Sequence, residues 1–97
     1  MFARLTSARI NKERVDEFIA IYEKSVVPAA KSQQGYQGAY LLVDRAEAKG
    51  ISITLWKSEK DALANERNRY YQEQVTKFIT FYTGPPVREG FEVCVQD

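Results

Sequence analysis

From Phe2 to Ile10 the side chains alternate, with Phe2, Arg4, Thr6, Ala8 and Ile10 on one face and Ala3, Leu5, Ser7 and Arg9 on the other. A period of two predicts a strand, and since neither set is wholly polar, both of its sides should be partly covered. Asn11 then suits an N-cap. Val15, Phe18, Ile19, Tyr22, Val26 and Ala29 or Ala30 follow the three-and-four spacing of a helix with one apolar stripe. Pro28 should kink or loosen the last turns, and Gly35 should stop the helix in the left-handed conformation. A second strand is expected at about 38–44, with Ala39, Leu41 and Val43 opposite Tyr40 and Leu42, and "RAEAKG" links it to a third at about 51–57. Ser58 followed by Asp61 approximates a capping box with Asp in place of Glu or Gln. The helix after it should break near Arg69, and its second half, carrying Val75, Phe78, Ile79 and Tyr82, should run to Gly84, where "TGPP" ends it. The last strand is expected at about 87–96, with Val87, Glu89, Phe91, Val93 and Val95 on one face.

The order strand, helix, strand, strand, helix, strand defines an α+β class. It predicts a ferredoxin-like βαββαβ unit in which both helices lie on one side of a four-stranded antiparallel sheet. With 97 residues and no linker, the chain is expected to form a single domain over 1–97. The sheet, however, has too much apolar surface for one layer of helices. On the third strand Ile51, Ile53 and Leu55 oppose Ser52, Thr54 and Trp56, the only tryptophan. Alternation does not say which set lies under the helices, but either way large apolar side chains occupy both faces. Each one left in water forgoes about 1.5–3 kcal/mol. Two sheets packed across a two-fold axis would recover that burial, so a homodimer is expected.

Composition narrows the chemistry. The chain is 44% hydrophobic and 28% charged, an ordinary globular balance. A net charge of +1 gives no field to gather nucleic acid or an anionic membrane, and neither is expected as a partner. No run approaches the roughly 18 apolar residues of a membrane span, and "MFARLTSARI" has no signal-peptide core, so a cytoplasmic location is expected. Cys94 is the single cysteine, excludes an intrachain disulfide, and is expected as a small buried hydrophobe on the last strand. There is no histidine. Ser-His-Asp and Cys-His nucleophiles and His-ligated zinc, haem or iron are therefore excluded. No metal and no cofactor is expected, which leaves carboxylates, Tyr, Lys, Arg, Cys or the substrate's own reactivity.

The stretches "PAAKSQQGYQGAYLLVD" and "ISITLWKSEKDA", then a Tyr-containing helix and "GPPVREGFEV", resemble the antibiotic biosynthesis monooxygenase (ABM) domain family over nearly the whole chain. That resemblance implies a ferredoxin-like protomer within a dimeric α+β barrel. It says less of activity, because the superfamily includes cofactor-free monooxygenases, haem-degrading enzymes and isomerases. In the family a Trp at this strand end lines a pocket between sheet and helices. In the cofactor-free branch a set of Asn, Trp, Tyr and Arg side chains holds a polycyclic phenol and stabilises its anion. The candidates here are Trp56 as wall and donor, Tyr70 or Tyr71 as phenolic donor, and Asn65 or Arg69 as anion stabiliser. Adjacent on a helix, Tyr70 and Tyr71 point about 100° apart and are expected to divide between pocket and surface. Arg4 could reach a pocket carboxylate or phenolate, and Tyr22, Tyr36, Tyr40 and Phe78 are expected as cavity walls. The haem-degrading branch shares "TLWKS" but uses a helix His and a first-strand Asn, both missing here.

Two functions follow as expectations. The first is a cofactor-independent monooxygenase oxidising a small aromatic substrate of quinol or phenol type with O2. The second is a non-catalytic dimeric domain that binds a small aromatic or apolar molecule, or acts in stress response. An isomerase or lyase working through Asp44 or Glu66 is a third reading.

Overall fold

The alternation at the N-terminus forms an inner strand. The computed structural model describes all of residues 1–97, and β1 (Phe2–Arg9) lies in an antiparallel sheet of order β2–β3–β1–β4. Its other strands are β2 (Tyr36–Asp44), β3 (Lys49–Trp56) and β4 (Val87–Glu92). The register pairs Phe2 with Trp56, Arg4 with Thr54 and Thr6 with Ser52, and on the other side pairs Thr6 with Arg88. No helix is long and apolar enough to cross a membrane.

Asn11 caps the first helical segment as the sequence predicts: its Oδ1 accepts from the Glu13 N–H at 3.0 Å. A 3₁₀ turn leads into α1 (Val15–Ile21), a π-helical segment (Tyr22–Val26) and α2 (Val27–Lys31). Pro28 has no N–H to return to the Lys24 carbonyl. The helix does not break there; it widens just before, where the Val27 N–H reaches back five residues to the Tyr22 carbonyl.

Ser58 caps α3 (Glu59–Glu66), its Oγ accepting from the Asp61 N–H at 3.1 Å. The expected break follows, and Asn68 caps α4 (Arg69–Ile79) by accepting from the Tyr70 N–H. α4 stops short of Gly84 because the backbone just past it is taken by the end of β1. Asn11 N–H bonds the Phe81 carbonyl at 2.8 Å and Thr83 N–H the Arg9 carbonyl at 3.0 Å. That turn drives Phe81 into the core beside Ile10, Val15, Phe18, Tyr22 and Phe78. Phe18 meets Phe78 and Phe81 edge-on at 5.2 and 5.7 Å, geometry that aromatic quadrupoles favour. Gly50 lies beneath Phe18, where a Cβ would come within 3.1 Å of the ring.

The faces now separate. Thr6, Ser52, Thr54 and Trp56 lie under the helices, and Trp56 is fully buried. Leu5, Ile51, Ile53 and Leu55 lie on the uncovered face with Tyr40, Leu42, Val87 and Phe91. Those last four keep between 48% and 57% of their surface open. Tyr40 is thus not a cavity wall, because its place in the alternation turns it outward. β4 ends at Glu92, short of the expected 96, so residue 94 has no strand beside it and Cys94 is exposed rather than buried.

Gly35 ends the helical stretch after α2 with φ +84°, and a Cβ there would collide with the Asp61 carboxylate. Gly35→Ala is expected to destabilise the fold by about 1–3 kcal/mol, measured as a lower urea midpoint at unchanged slope.

Candidate functional site

Small polar side chains at the centre of the covered sheet face leave a gap beneath α3 and α4. The result is a cavity of about 90 Å³. That is several times the ~10–15 Å³ that admits one water, and well under the ~300–1,000 Å³ of pockets for drug-sized ligands.

Trp56 closes one end. Its ring packs edge-on against Tyr36 at 6.0 Å, and its Nε1–H donates to Thr54 Oγ1 at 2.9 Å. The indole donor is satisfied inside the chain, so this residue serves as a wall. Tyr22, from the π-helical segment, enters from the other side; its hydroxyl lies 2.9 Å from Ser52 Oγ and donates more weakly to the Tyr40 carbonyl at 3.4 Å. Phe78 also lines the cavity.

Both tyrosines of α4 border the cavity, against the expectation that one would face away. The first turn of α4 lies over the gap, so two directions 100° apart both meet it. Burial pushes the Tyr70 hydroxyl up to about 12, with a further push from Tyr71. Burial raises Tyr71 as well, while the Arg88 guanidinium, 5.2 Å above its ring, pulls it back. Both are therefore neutral phenols that can donate at physiological pH.

Asn65 lines the cavity with only 8% of its surface open, and its Oδ1 has no partner in the chain. Glu66 beside it accepts from Arg4 Nη2 at 2.7 Å through Oε1, so Arg4 does reach a carboxylate in the cavity wall. Arg69 does not take the place expected from the sequence. Its side chain is 93% exposed and pairs with Glu73 at 3.7 Å, because the first residue of α4 points to solvent. Asp44 is also remote: it accepts from the Glu47 N–H in the exposed β2–β3 turn.

Arg88 is the residue sequence reasoning missed, and it occupies the wall that Arg69 does not reach. The signal was present in β4, where Arg88 alternates with the outward Val87 and Glu89 and pairs with Thr6. No group of three or more Cys, Asp and Glu side chains gathers into a metal-holding cluster.

A family model described as antibiotic biosynthesis monooxygenase matches residues 1–77. The chain belongs to the antibiotic biosynthesis monooxygenase family. The match takes in β1 to β3, α3 and most of α4, and stops before β4 and Arg88. Among solved structures, the chain is similar to a mutant form of SnoaB, a cofactor-independent oxygenase from Streptomyces nogalater. The TM-score is 0.82 at 12% identity, over 98% of this chain and 94% of that one. It is also similar to Rv0793 from Mycobacterium tuberculosis, with a TM-score of 0.78 at 9% identity, over 98% and 96% of the two chains. At such identities the likeness shows a common fold. Uncharacterized protein Rv2557 of Mycobacterium tuberculosis is 29% identical over 97% of this chain. The chain spans 41% of that relative's length.

Raised tyrosines link the site to stability. Tyr70 holds its proton when folded up to about 12 and loses it near 10 when unfolded, so the unfolded chain binds fewer protons in that window. Stability should be full below pH 10 and fall as pH rises toward 12. Tyr70→Phe should flatten part of that slope, read as urea midpoints between about pH 9 and 11.

Proposed function

We propose that this ABM-family protein is a homodimeric, cofactor-independent monooxygenase, working in the cytoplasm on a small phenol or quinol with O2. The observation that carries the proposal is a small, largely apolar cavity lined by Tyr70 and Tyr71, both neutral phenols, and by Arg88. Triplet oxygen reacts slowly with closed-shell molecules, but an electron-rich phenolate can pass it one electron directly. The protein then has to exclude water and set donors where negative charge develops. Tyr70, Tyr71 and Arg88 are such donors, Asn65 offers an amide, and Trp56 shapes the end of the cavity. For a phenol with a free para position, one O2 is consumed. One oxygen atom becomes the new ring carbonyl, the other leaves as water, and the substrate supplies all four electrons. The size of the cavity favours a single-ring substrate over a polycyclic one. Family membership and the likeness to a cofactor-independent oxygenase support the same reading.

The dimer reading rests on the uncovered sheet face, where Leu5, Ile51, Ile53, Leu55, Leu42 and Phe91 form a contiguous apolar surface. A patch of that kind on a small domain marks an interface.

An oxygen electrode with electron-rich single-ring phenols tests the activity: purified protein should consume O2 and form quinone in a one-to-one ratio. Trp56→Phe should lower the rate about tenfold, equivalent to ~1.4 kcal/mol of transition-state stabilisation. No acceleration across a panel of such phenols would leave a binding domain without catalysis. Sedimentation should give a two-chain particle at micromolar concentration, and Ile53→Lys should shift it to the single-chain mass; a wild-type monomer would defeat the dimer.

A further inference from the structure

The last residue of α3 brings the only carboxylate into a wall whose other charged groups are the Arg4 and Arg88 guanidiniums. Glu66 Oε1 is held by Arg4, while Oε2 is buried and has no donor in the chain. Asn65 Oδ1, one residue earlier, is also buried and unpartnered. Folded proteins seldom leave buried acceptors unpaired, because each one forfeits its hydrogen bonds to water without replacement. Two such atoms on adjacent residues of one cavity wall call for a ligand that carries hydrogen-bond donors.

We propose that Glu66 Oε2 accepts the hydroxyl hydrogen of the bound phenol and takes that proton when the ring is activated. Arg4 is the positioning residue that fixes the carboxylate through its other oxygen. The inference rests on reading the cavity as a phenol-oxidising site, and it names the group that generates the phenolate. The substrate O–H bond breaks and the Oε2–H bond forms. The electron pair stays on the ring oxygen, so the negative charge moves from Glu66 to the substrate. Tyr70 and Tyr71 then face an anion they can stabilise by donating.

Every other ionisable group facing the cavity is a donor. These are Arg4 on β1, Tyr22 in the π-helical segment, Tyr70 and Tyr71 on α4, Tyr82 after it and Arg88 on β4. The guanidiniums carry N–H donors and no acceptor, and burial raises all four tyrosines. With no histidine in the chain, Glu66 is the one carboxylate of this wall and its only candidate proton acceptor.

The test compares wild type with Glu66→Gln, which keeps the size of the side chain and an acceptor for Arg4. In phenol oxidation, kcat should fall by about 10²-fold or more, within the range of general-base contributions, with KM changed far less. The rate of the variant should rise with pH as the substrate ionises on its own, a response that a purely structural residue would not produce. A second readout needs no oxygen turnover. Anaerobic titration with 4-nitrophenol, above and below its own ionisation, should show wild type binding the neutral form more tightly. Glu66→Gln should lose that preference by tenfold or more. If wild type turns over and the variant keeps its kcat within threefold, Glu66 is not the proton acceptor and the oxygenase reading stands. If wild type consumes no O2, the oxygenase reading fails and the nitrophenol titration alone decides Glu66. Tighter wild-type binding of the ionised probe overturns the proposal, even if the variant does not fold.

Discussion

The sheet carries its bulk on the side its own helices do not cover, and the rest of the molecule depends on that inversion. Beneath the helices, the middle of β1 and β3 holds Thr6, Ser52 and Thr54, none large enough to fill the space up to α3 and α4. On the opposite surface the same strands set out Leu5, Ile51, Ile53 and Leu55. A domain stabilised only by its own core would have the reverse arrangement. Here the inner deficit creates the cavity and the outer excess creates a surface that needs covering. Cavity and uncovered apolar face have one cause. The true core is displaced to the far end, where Phe18, Phe78 and Phe81 interlock around Ile10 and Val15.

Most of this architecture is legible in the sequence, because it rests on short-range rules. The period of two in Phe2–Arg9, the caps at Asn11 and Ser58, the left-handed Gly35 and the break before Arg69 each follow from local sterics or hydrogen bonding. What spacing cannot supply is long-range. Nothing in alternation says which sheet face meets the helices, so an inward Tyr40 is as plausible on the page as the outward one, and the bulk of β3 fits either side. The end of α4 falls earlier than its apolar pattern suggests because the partners that terminate it, Arg9 and Asn11, are some seventy residues away in sequence. Residue type alone argues for a buried Cys94, whereas its exposure depends on where the edge strand happens to stop.

The cavity divides in the same way. Trp56, Asn65, Tyr70 and Tyr71 can be singled out from their neighbours in sequence, and all four border the space. Arg69 and Arg88 show the limit of that method. Both are cations near the end of the chain's apolar pattern, but only strand pairing reveals that Arg88 stands opposite Thr6 while Arg69 looks into water. The pairing of Arg4 with Glu66, 62 residues apart, is equally invisible to spacing. Packing makes the polar wall, by setting the end of α3 against the first residues of β1.

The position of Arg88 also restricts how this protein can be altered. It lies on the outermost strand, every residue of which is exposed, and with Glu89 and Glu92 it supplies the charge along that rim. Charged side chains on an unpaired rim discourage another chain from docking its backbone there. An apolar residue at 88 would make the cavity greasier and would also leave "VREGFE" with less charge to resist cross-strand aggregation. Retuning the chamber from this wall therefore carries a solubility penalty that a change at the buried Asn65 does not.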